Sequence, residues 1–158
     1  LADPGGPGLG VLLWGMTMRT SARNALRGTV SRVTTGAVNA EVRLAVAEGV
    51  EVVATVTRES VAELGLVPGA GAIALIKSSF VILAPGDQPI RTSARNCLPG
   101  VVIAREDGAV NSEVTLELRL GKTLTATLTR ESAAALNLEV GARALALVKA
   151  SHVILAVD

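Results

Sequence analysis

The sequence predicts an all-β protein made of two tandem five-stranded barrels, each carrying one short helix. Two observations predict this class. The apolar residues are mostly Val, Ala, Leu and Ile, with one Trp, one Phe and no Tyr, and residues of this kind suit strands. The chain also repeats itself, because residues 19–86 align with residues 91–158 without a gap and 37 of the 68 aligned positions are identical. An internal repeat of this length indicates two structural units.

The units are predicted as a leader at 1–18, a first repeat at 19–86 and a second repeat at 87–158. The leader begins rich in Gly and Pro, and its apolar part, "GVLLWGM", is too short for a membrane span of about 20 residues. It also lacks the basic start of a signal peptide. "PGDQP" at 85–89 is a turn-type linker. Repeats this small have thin cores, so each needs support from the other or from a partner chain.

The elements of each repeat follow from local patterns. In the first repeat, "LRGTVSRV", the alternating "VNAEVRLAV", "EVVATVT", "IALIK" and "FVILA" predict five strands. A short helix, "RESVAELGL", separates the third strand from the fourth, with Thr57 as its N-cap and Gly65 at its end. In the second repeat Thr129 opens the same helix and Asn137 replaces the glycine. Five short strands with one small helix are typical of an oligonucleotide/oligosaccharide-binding barrel.

Composition argues against several function classes. A net charge of +1 is too small for general electrostatic binding to nucleic acid, and the aromatic platform of a nucleic-acid-binding barrel is missing, because Phe80 becomes His152 in the second repeat. The single cysteine, Cys97, excludes an internal disulfide and a structural cysteine zinc site. We expect His152 to be a structural or surface residue, and no phosphate-binding or dinucleotide motif is present. The sequence therefore predicts neither an enzyme nor a protein that coordinates a metal cation directly.

The identical positions concentrate in polar segments: "RTSARN", "GAVN", "TRES" and a lysine before "VIL". Thr57 and Ser60 fall in the first turn of the helix, where free backbone N–H groups favour an anion. Arginine and lysine would add charge-assisted hydrogen bonds. The set therefore suits a small oxyanion. Its members can all donate hydrogen bonds: Ser21, Arg23, Asn24, Thr57, Ser60 and Lys77, and Ser93, Arg95, Asn96, Thr129, Ser132 and Lys149.

Each of these residues also has a purely structural alternative. Thr57 could be only a helix cap, and "SARN" could be only a turn in which Asn24 bonds its own backbone. Lys77 could be a solvated lysine that protects an edge strand from aggregation. Their joint recurrence at fixed spacing in both repeats favours a shared function.

Two pairs of glutamates recur as well. Glu41 and Glu113 are predicted to lie on the solvent face of a strand. Glu59 and Glu131 fall in the first turn of the helix, where a carboxylate complements the helix dipole. Neither pair is predicted to perform acid–base chemistry, because both are expected to be solvated.

The motifs "TSARNALRGTV", "GAVNAEV", "TRESVAELGL" and "LIKSSFVIL", with their counterparts in the second repeat, resemble the molybdate-binding Mop family, also called molbindins or the molybdenum-type TOBE domain. The resemblance covers residues 19–158. It implies one oligonucleotide-binding-like barrel per repeat, barrels that complete each other across interfaces, and molybdate or tungstate bound between them.

The resemblance also implies which residues bind the oxyanion. The matched positions are Ser21, Arg23, Thr57, Ser60, Lys77 and Ser78 in the first repeat, and Ser93, Arg95, Thr129, Ser132, Lys149 and Ala150 in the second. A second kind of oxyanion site at the "GAVN" loops would use Val38, Asn39, Val110 and Asn111. Ala150 in place of Ser78 suggests unequal sites, although a backbone N–H there would be unaffected.

Two hosts fit such a tandem pair. One is the effector half of a molybdate-dependent transcriptional regulator, which binds DNA through a domain absent from this chain. The other is a free-standing storage protein. The leader ending in "MTMRTSARN" resembles the junction of the regulator and favours the first host, while the full motif set in both repeats fits the second. We expect a cytoplasmic homo-oligomer, a dimer in a regulator and a trimer in a storage protein, with no cofactor and no membrane association.

Overall fold

The structure is a computed structural model that describes residues 20–158. The leader predicted at 1–18 and Arg19 lie outside the described residues. Within the described range, no helix has the length and apolar character needed to cross a bilayer.

Both repeats contain the predicted elements in the predicted order, with one helix between the third and fourth strands. The first repeat comprises β1 (Asn24–Thr35), β2 (Asn39–Ala47), β3 (Val50–Thr57), α1 (Arg58–Leu64), β4 (Gly71–Ile76), a 3₁₀ turn (Ser78–Phe80) and β5 (Ile82–Pro85). The second comprises β6 (Asn96–Asp107), β7 (Asn111–Arg119), β8 (Lys122–Thr129), α2 (Arg130–Ala135), β9 (Arg143–Val148), a 3₁₀ turn (Ala150–His152) and β10 (Ile154–Ala156).

Each repeat gives its last strand to the sheet of the other repeat. The first sheet has the order β10-β4-β1-β2-β3, and the second has the order β5-β9-β6-β7-β8. β5 runs antiparallel to β9 with Leu83 opposite Ala146, and β10 runs antiparallel to β4 with Leu155 opposite Ala74. The predicted all-β class with five strands per unit is confirmed. Each unit, however, contains four strands from one repeat and one from the other.

Strand alternation builds the core. On β2, Val42 and Leu44 are fully buried while the residues between them are partly exposed, and Val114 and Leu116 repeat this pattern on β7. Such two-faced strands are typical of antiparallel sheets that cover a core on one side. The buried apolar residues of both repeats form one continuous cluster, which includes the exchanged Leu83 and Leu155. The two repeats therefore share a core.

Close strand packing explains the glycine in "LRGTV" and "LPGVV". A Cβ on Gly28 would lie 2.3 Å from the carbonyl oxygen of Ala45, and one on Gly100 would lie 2.8 Å from that of Glu117. Only glycine allows so close an approach to a neighbouring backbone. A β-bulge follows in both β1 and β6, and bulges increase the local bend and twist. These positions let each sheet curl.

The helix ends agree with the sequence predictions. The hydroxyls of Thr57 and Thr129 each accept the backbone N–H of the residue three positions on, at 3.1 Å, which satisfies one of the free donors of the first turn. α1 ends at Gly65, whose φ is +66°. Asn137 adopts a φ of +54° at the same position of the second repeat, and asparagine tolerates this left-handed conformation. Both predicted caps and both predicted stops are confirmed.

Candidate functional site

The "TSARN" segments are tight turns that lead into β1 and β6. The hydroxyl of Thr20 accepts the backbone N–H of Ala22 at 3.1 Å, and that of Thr92 accepts the N–H of Ala94 at 3.0 Å. Local hydrogen bonds of this kind stabilise a turn without any contribution from tertiary contacts. Ser21 and Ser93 are exposed within these turns. The turns direct the next two residues, an arginine and an asparagine, toward the opposite repeat.

Asn24 and Asn96 join the two repeats through their side-chain amides. The Asn24 amide donates to the carbonyl oxygens of Ile76 at 3.2 Å and Thr125 at 2.9 Å, and its oxygen accepts the Thr125 N–H at 2.7 Å. Asn96 makes the same three bonds with Val148 and Val53, at 3.2, 2.9 and 2.7 Å. Both amides are buried, and each makes all three of its hydrogen bonds to backbone groups. In this conformation they hold the edge strands β8 and β3 and have no donor left for a ligand.

Arg23 and Arg95 form ion pairs that cross between the repeats. Arg23 Nη1 donates to Glu113 Oε2 at 2.5 Å. Arg95 binds Glu41 through two bonds, from Nη1 to Oε2 and from Nη2 to Oε1, the latter at 3.2 Å. Both arginine side chains remain about half exposed, at 53% and 49%. Their other N–H groups therefore stay accessible to solvent or to a ligand.

The lysine segments also lie against the opposite repeat. Lys77 precedes the first 3₁₀ turn, and the hydroxyl of Ser78 is 2.7 Å from that of Thr127 on β8. The second 3₁₀ turn packs against β3 in the same way, but it begins with the buried Ala150 in place of the serine. Lys77 and Lys149 are both exposed.

These contacts bring polar side chains of both repeats together in two clusters, which are named the first and the second crevice. The first crevice combines Arg23, Lys77 and Ser78 with Glu113 and Thr127. The second crevice combines Arg95, Lys149 and Ala150 with Glu41 and Thr55, the residue that corresponds to Thr127. Each crevice therefore carries two cationic side chains against one carboxylate, and each is made by both repeats.

The predicted residues at the helix start divide between the crevices in a crossed manner. Thr57 lies two residues beyond Thr55 on β3, the strand of the first repeat that contributes to the second crevice. Thr129 lies two residues beyond Thr127 on β8, the strand of the second repeat that contributes to the first crevice. Each threonine hydroxyl also donates to the serine hydroxyl three residues on, at 2.9 Å to Ser60 and 2.8 Å in the second repeat, where the serine is Ser132.

The "GAVN" loops lie at exposed hairpin tips. Val38 and Val110 are 74% and 70% exposed. The backbone N–H groups of Arg58 and Arg130, the first residues of the helices, donate to the carbonyl oxygens of these valines at 3.2 and 2.8 Å. Asn39 and Asn111 are also exposed, on the strand that follows each loop. The structure thus fixes each loop against its own helix, and it places Asn39 opposite Thr57 and Asn111 opposite Thr129 on the neighbouring strands.

Phe80 and His152, which occupy equivalent positions in the two repeats, stack on each other. Their ring centroids are 4.2 Å apart and their planes differ by 26°, a geometry typical of attractive ring contacts. Lys77 Nζ lies 5.3 Å from the centroid of the Phe80 ring, within the range of a cation–π interaction. This contact between the repeats gives His152 a structural partner.

A further set of cross-repeat contacts lies at the start of β8. Lys122 Nζ donates to the carbonyl oxygen of Arg27 at 3.3 Å. Burial, and then the positive charge of Arg27, lower the pKa of the Lys122 ammonium. Arg27 in turn donates to both carboxylate oxygens of Asp158, at 2.9 and 3.1 Å, and these hydrogen bonds lower the pKa of that carboxyl. Charged residues of both repeats therefore contact each other at this end of the interface.

Sequence reasoning missed the glutamates and the strand threonines of the crevices. Glu41 and Glu113 were visible as a recurring pair, but their cross-repeat partners depend on how the repeats dock. Thr55 and Thr127 are likewise identical in the two repeats and were not singled out. Within residues 20–158, no group of three or more His, Cys, Asp or Glu side chains is placed to hold a metal ion.

Comparison with known proteins places these features in a family. The TOBE domain profile matches residues 20–83 and 92–155. The molybdenum-pterin-binding protein MopA of Rhodobacter capsulatus is 57% identical over 144 residues, which are 91% of this chain and 54% of MopA. The molybdenum transport protein ModE of Herbaspirillum seropedicae is 44% identical over 152 residues, 96% of this chain and 56% of ModE. The chain thus spans about half the length of these relatives.

A solved structure agrees with these matches. The crystal structure of the cytoplasmic molybdate-binding protein ModG with molybdate bound is 46% identical, with a TM-score of 0.84, and the match covers 89% of this chain and 100% of the ModG chain. The resemblance identified from the "SARN", "GAVN" and lysine motifs is confirmed. The chain belongs to the TOBE-domain family, of which it carries two tandem copies.

Proposed function

We propose that this chain binds molybdate or tungstate in the two crevices between its repeats. The observation that carries this proposal is the crossed arrangement of one arginine, one lysine and several hydroxyls, which both crevices share. Support comes from the ModG structure, which was solved with molybdate bound and whose whole chain matches this one. The chain acts as a binding protein in this proposal, with no catalytic step and no cofactor.

The chemistry of the crevices suits this ligand. Molybdate and tungstate are doubly charged tetrahedral anions, and a buried charge of this size requires nearly every oxygen to be paired. Charged donors supply the stronger bonds. In the first crevice the donors are Arg23, Lys77 and Ser78 with Ser21, Thr129 and Ser132. In the second they are Arg95, Lys149 and the backbone N–H of Ala150 with Ser93, Thr57 and Ser60.

In this proposal Asn24 and Asn96 connect the two repeats and thereby fix the width of each crevice. Their three hydrogen bonds to backbone hold the opposing edge strand at a set distance. Sulfate is smaller than molybdate, so a crevice of fixed width discriminates between the two by size. The exposed "GAVN" loops, with Val38, Asn39, Val110 and Asn111, are proposed as a second kind of oxyanion site that a homo-oligomer completes.

The proposed host is the effector-sensing half of a molybdate-dependent transcriptional regulator. Support comes from the ModE relatives, which are nearly twice the length of the matched segment. Anion binding between repeats would favour one relative arrangement of the repeats, which is how an effector shifts a conformational equilibrium. DNA binding would belong to a part of the regulator other than these two repeats, and the regulator would be a cytoplasmic dimer.

A storage protein is the second candidate. It is favoured by ModG, a cytoplasmic molybdate-binding protein whose entire chain is matched by the two repeats alone. We expect such a protein to be a trimer with additional anions at the interfaces between copies. Anion stoichiometry and mass in solution separate the two candidates.

The test is isothermal titration of the chain with molybdate and with tungstate, each repeated in excess sulfate. We expect tight binding that sulfate does not weaken, with about two anions per chain if only the crevices bind. Analytical ultracentrifugation of the same samples gives the mass. The absence of heat and of any change in assembly would overturn the proposed function.

A further inference from the structure

The cross-repeat glutamates are the one polar feature of the crevices that oxyanion binding leaves unexplained. Glu113 and Glu41 lie on the central strands β7 and β2 and contact the two arginines. A carboxylate does not bind an anion, and its charge repels one. Yet both repeats carry it, whereas the next two residues on the same strand face differ, with Arg43 and Ala45 in one repeat and Thr115 and Glu117 in the other.

On the basis of the proposed function, we infer that Glu41 and Glu113 compete with the ligand for the two arginines. In the anion-free protein each carboxylate occupies an N–H group of the arginine that would otherwise bind the oxyanion. The ligand must displace the carboxylate before the arginine can bind it fully. The glutamates therefore set the anion concentration at which the crevices fill.

The geometry supports displacement. An ion pair whose groups remain in contact with solvent contributes little to stability, and the arginines are 53% and 49% exposed while the glutamates are 36% and 26% exposed. A doubly charged oxyanion attracts a guanidinium more strongly than a carboxylate does at equal distance. The side chains also have solvent to move into. The ion pair is thus strong enough to occupy the arginine and weak enough to be replaced.

The two crevices differ in how firmly the arginine is held. Glu113 accepts one bond from Arg23, whereas Glu41 accepts two from Arg95. Paired bonds between guanidinium and carboxylate are the stronger arrangement. The competition is therefore greater in the second crevice, and its arginine should become available only at a higher anion concentration.

The experiment is titration of molybdate into the full chain and into Glu113→Gln and Glu41→Gln variants. Glutamine keeps the size of the side chain and removes the charge. We expect both variants to bind molybdate more tightly, by about two- to fivefold, the range for a half-exposed ion pair, with the larger gain for Glu41→Gln. Glu117→Gln is the matched control, because it removes one negative charge from β7 at a position outside the crevices and should leave the affinity unchanged.

Two further variants separate displacement from general electrostatics. Glu113→Asp keeps the charge but withdraws the carboxylate from Arg23, so it should also tighten binding. In an Arg23→Ala background, Glu113→Gln should gain less than half as much, because the arginine for which they compete is gone. Unchanged or weaker binding in either single Gln variant, or an undiminished gain without Arg23, would overturn the inference while leaving molybdate binding by the unmodified chain intact. If the unmodified chain binds no molybdate, both proposals fail.

Discussion

The two crevices use the same backbone positions but differ in their uncharged side chains. Ser78 pairs with a threonine hydroxyl in the first crevice, and Ala150 occupies its position in the second. The charged residues and the amides, by contrast, are identical, and the arginines, glutamates and amides contact the other repeat. Two copies that drift apart within one chain have kept the cross-repeat contacts of the arginines and the amides and have let that of a hydroxyl vary. The crossing interactions are therefore what both crevices require.

A second difference lies outside the crevices, near the ends of β1 and β6. In the second repeat Asp107 accepts the Ser112 hydroxyl at 2.6 Å and Arg105 Nε at 3.0 Å, and Arg105 also donates to Glu139 at 2.9 Å. The first repeat has apolar or neutral residues at these four positions: Val33, Thr35, Ala40 and Val67. The same backbone thus carries an ion-pair network in one repeat and no charged side chain at these positions in the other.

The largest expected effect concerns the buried amides. Asn96→Ala should lower the free energy of unfolding by about 3 kcal/mol and Asn24→Ala by about 2 kcal/mol, because each leaves a backbone N–H and carbonyl groups without partners. Asn96 should cost more, since its partner Val53 is buried whereas Thr125 is only half-buried. Urea denaturation measures both, with the exposed Ser93→Ala as control. Losses below about 1 kcal/mol in both variants would show that the amides do not hold the repeats together.

The next effect concerns the cations of the first crevice. Arg23→Ala and Lys77→Ala should each weaken molybdate binding there by about 10- to 100-fold, which corresponds to one charge-assisted hydrogen bond. The fold should persist, because exposed ion pairs contribute little to stability. Isothermal titration measures the affinity, and Arg32→Ala, an exposed arginine of β1, is the control. Unchanged affinity in both variants would remove the first crevice as a binding site.

A smaller effect would test whether the hydroxyl makes the crevices unequal. Ser78→Ala should weaken the first crevice by about threefold, and Ala150→Ser should strengthen the second by a similar factor, the range for one neutral hydrogen bond. In each variant, titration should show that the molybdate affinities of the first and the second crevice become more similar. Ser79→Ala, a change at the exposed neighbouring serine, should have no effect. Equal affinities in the unmodified chain would contradict this difference.

The smallest effect is the acid sensitivity of the ion-pair network. The Ser112 hydrogen bond, followed by that of Arg105, holds the pKa of Asp107 below its ordinary value of 3.8. A carboxyl whose pKa is lowered by folding stabilises the protein above its unfolded pKa, and this contribution is lost as the pH falls through the folded pKa. Asp107→Asn should therefore be less stable than the unmodified chain at neutral pH but not in acid.

Thermal unfolding across the acid range checks this prediction. Glu63→Gln, which changes an exposed carboxyl on α1, is the control and should track the unmodified chain at every pH. A difference between Asp107→Asn and the unmodified chain that stays constant as the pH falls would contradict the assigned role of Asp107.

Local features were predictable from the sequence because they depend on neighbouring residues. Thr57 caps its helix, and Asn137 replaces Gly65 in the left-handed conformation, for reasons contained within a few positions. The exchange of β5 and β10 was not predictable in this way, because an alternating strand carries the same pattern whichever sheet it completes. The pairing of Arg23 with Glu113 depends on that docking, so both residues were visible but their contact was not.

Because the repeats exchange their last strands, neither sheet can be completed by its own repeat alone. β10 completes the first sheet at residues 154–156, opposite 73–75 of β4, so a sheet begun near residue 24 is closed by a segment about 130 positions later. Such distant contacts slow folding, and a growing chain emerges from the ribosome with its N-terminal part first. The first repeat therefore leaves the ribosome before the strand that pairs with β4 in the folded chain, and β4 lacks this native partner until β10 has been synthesised.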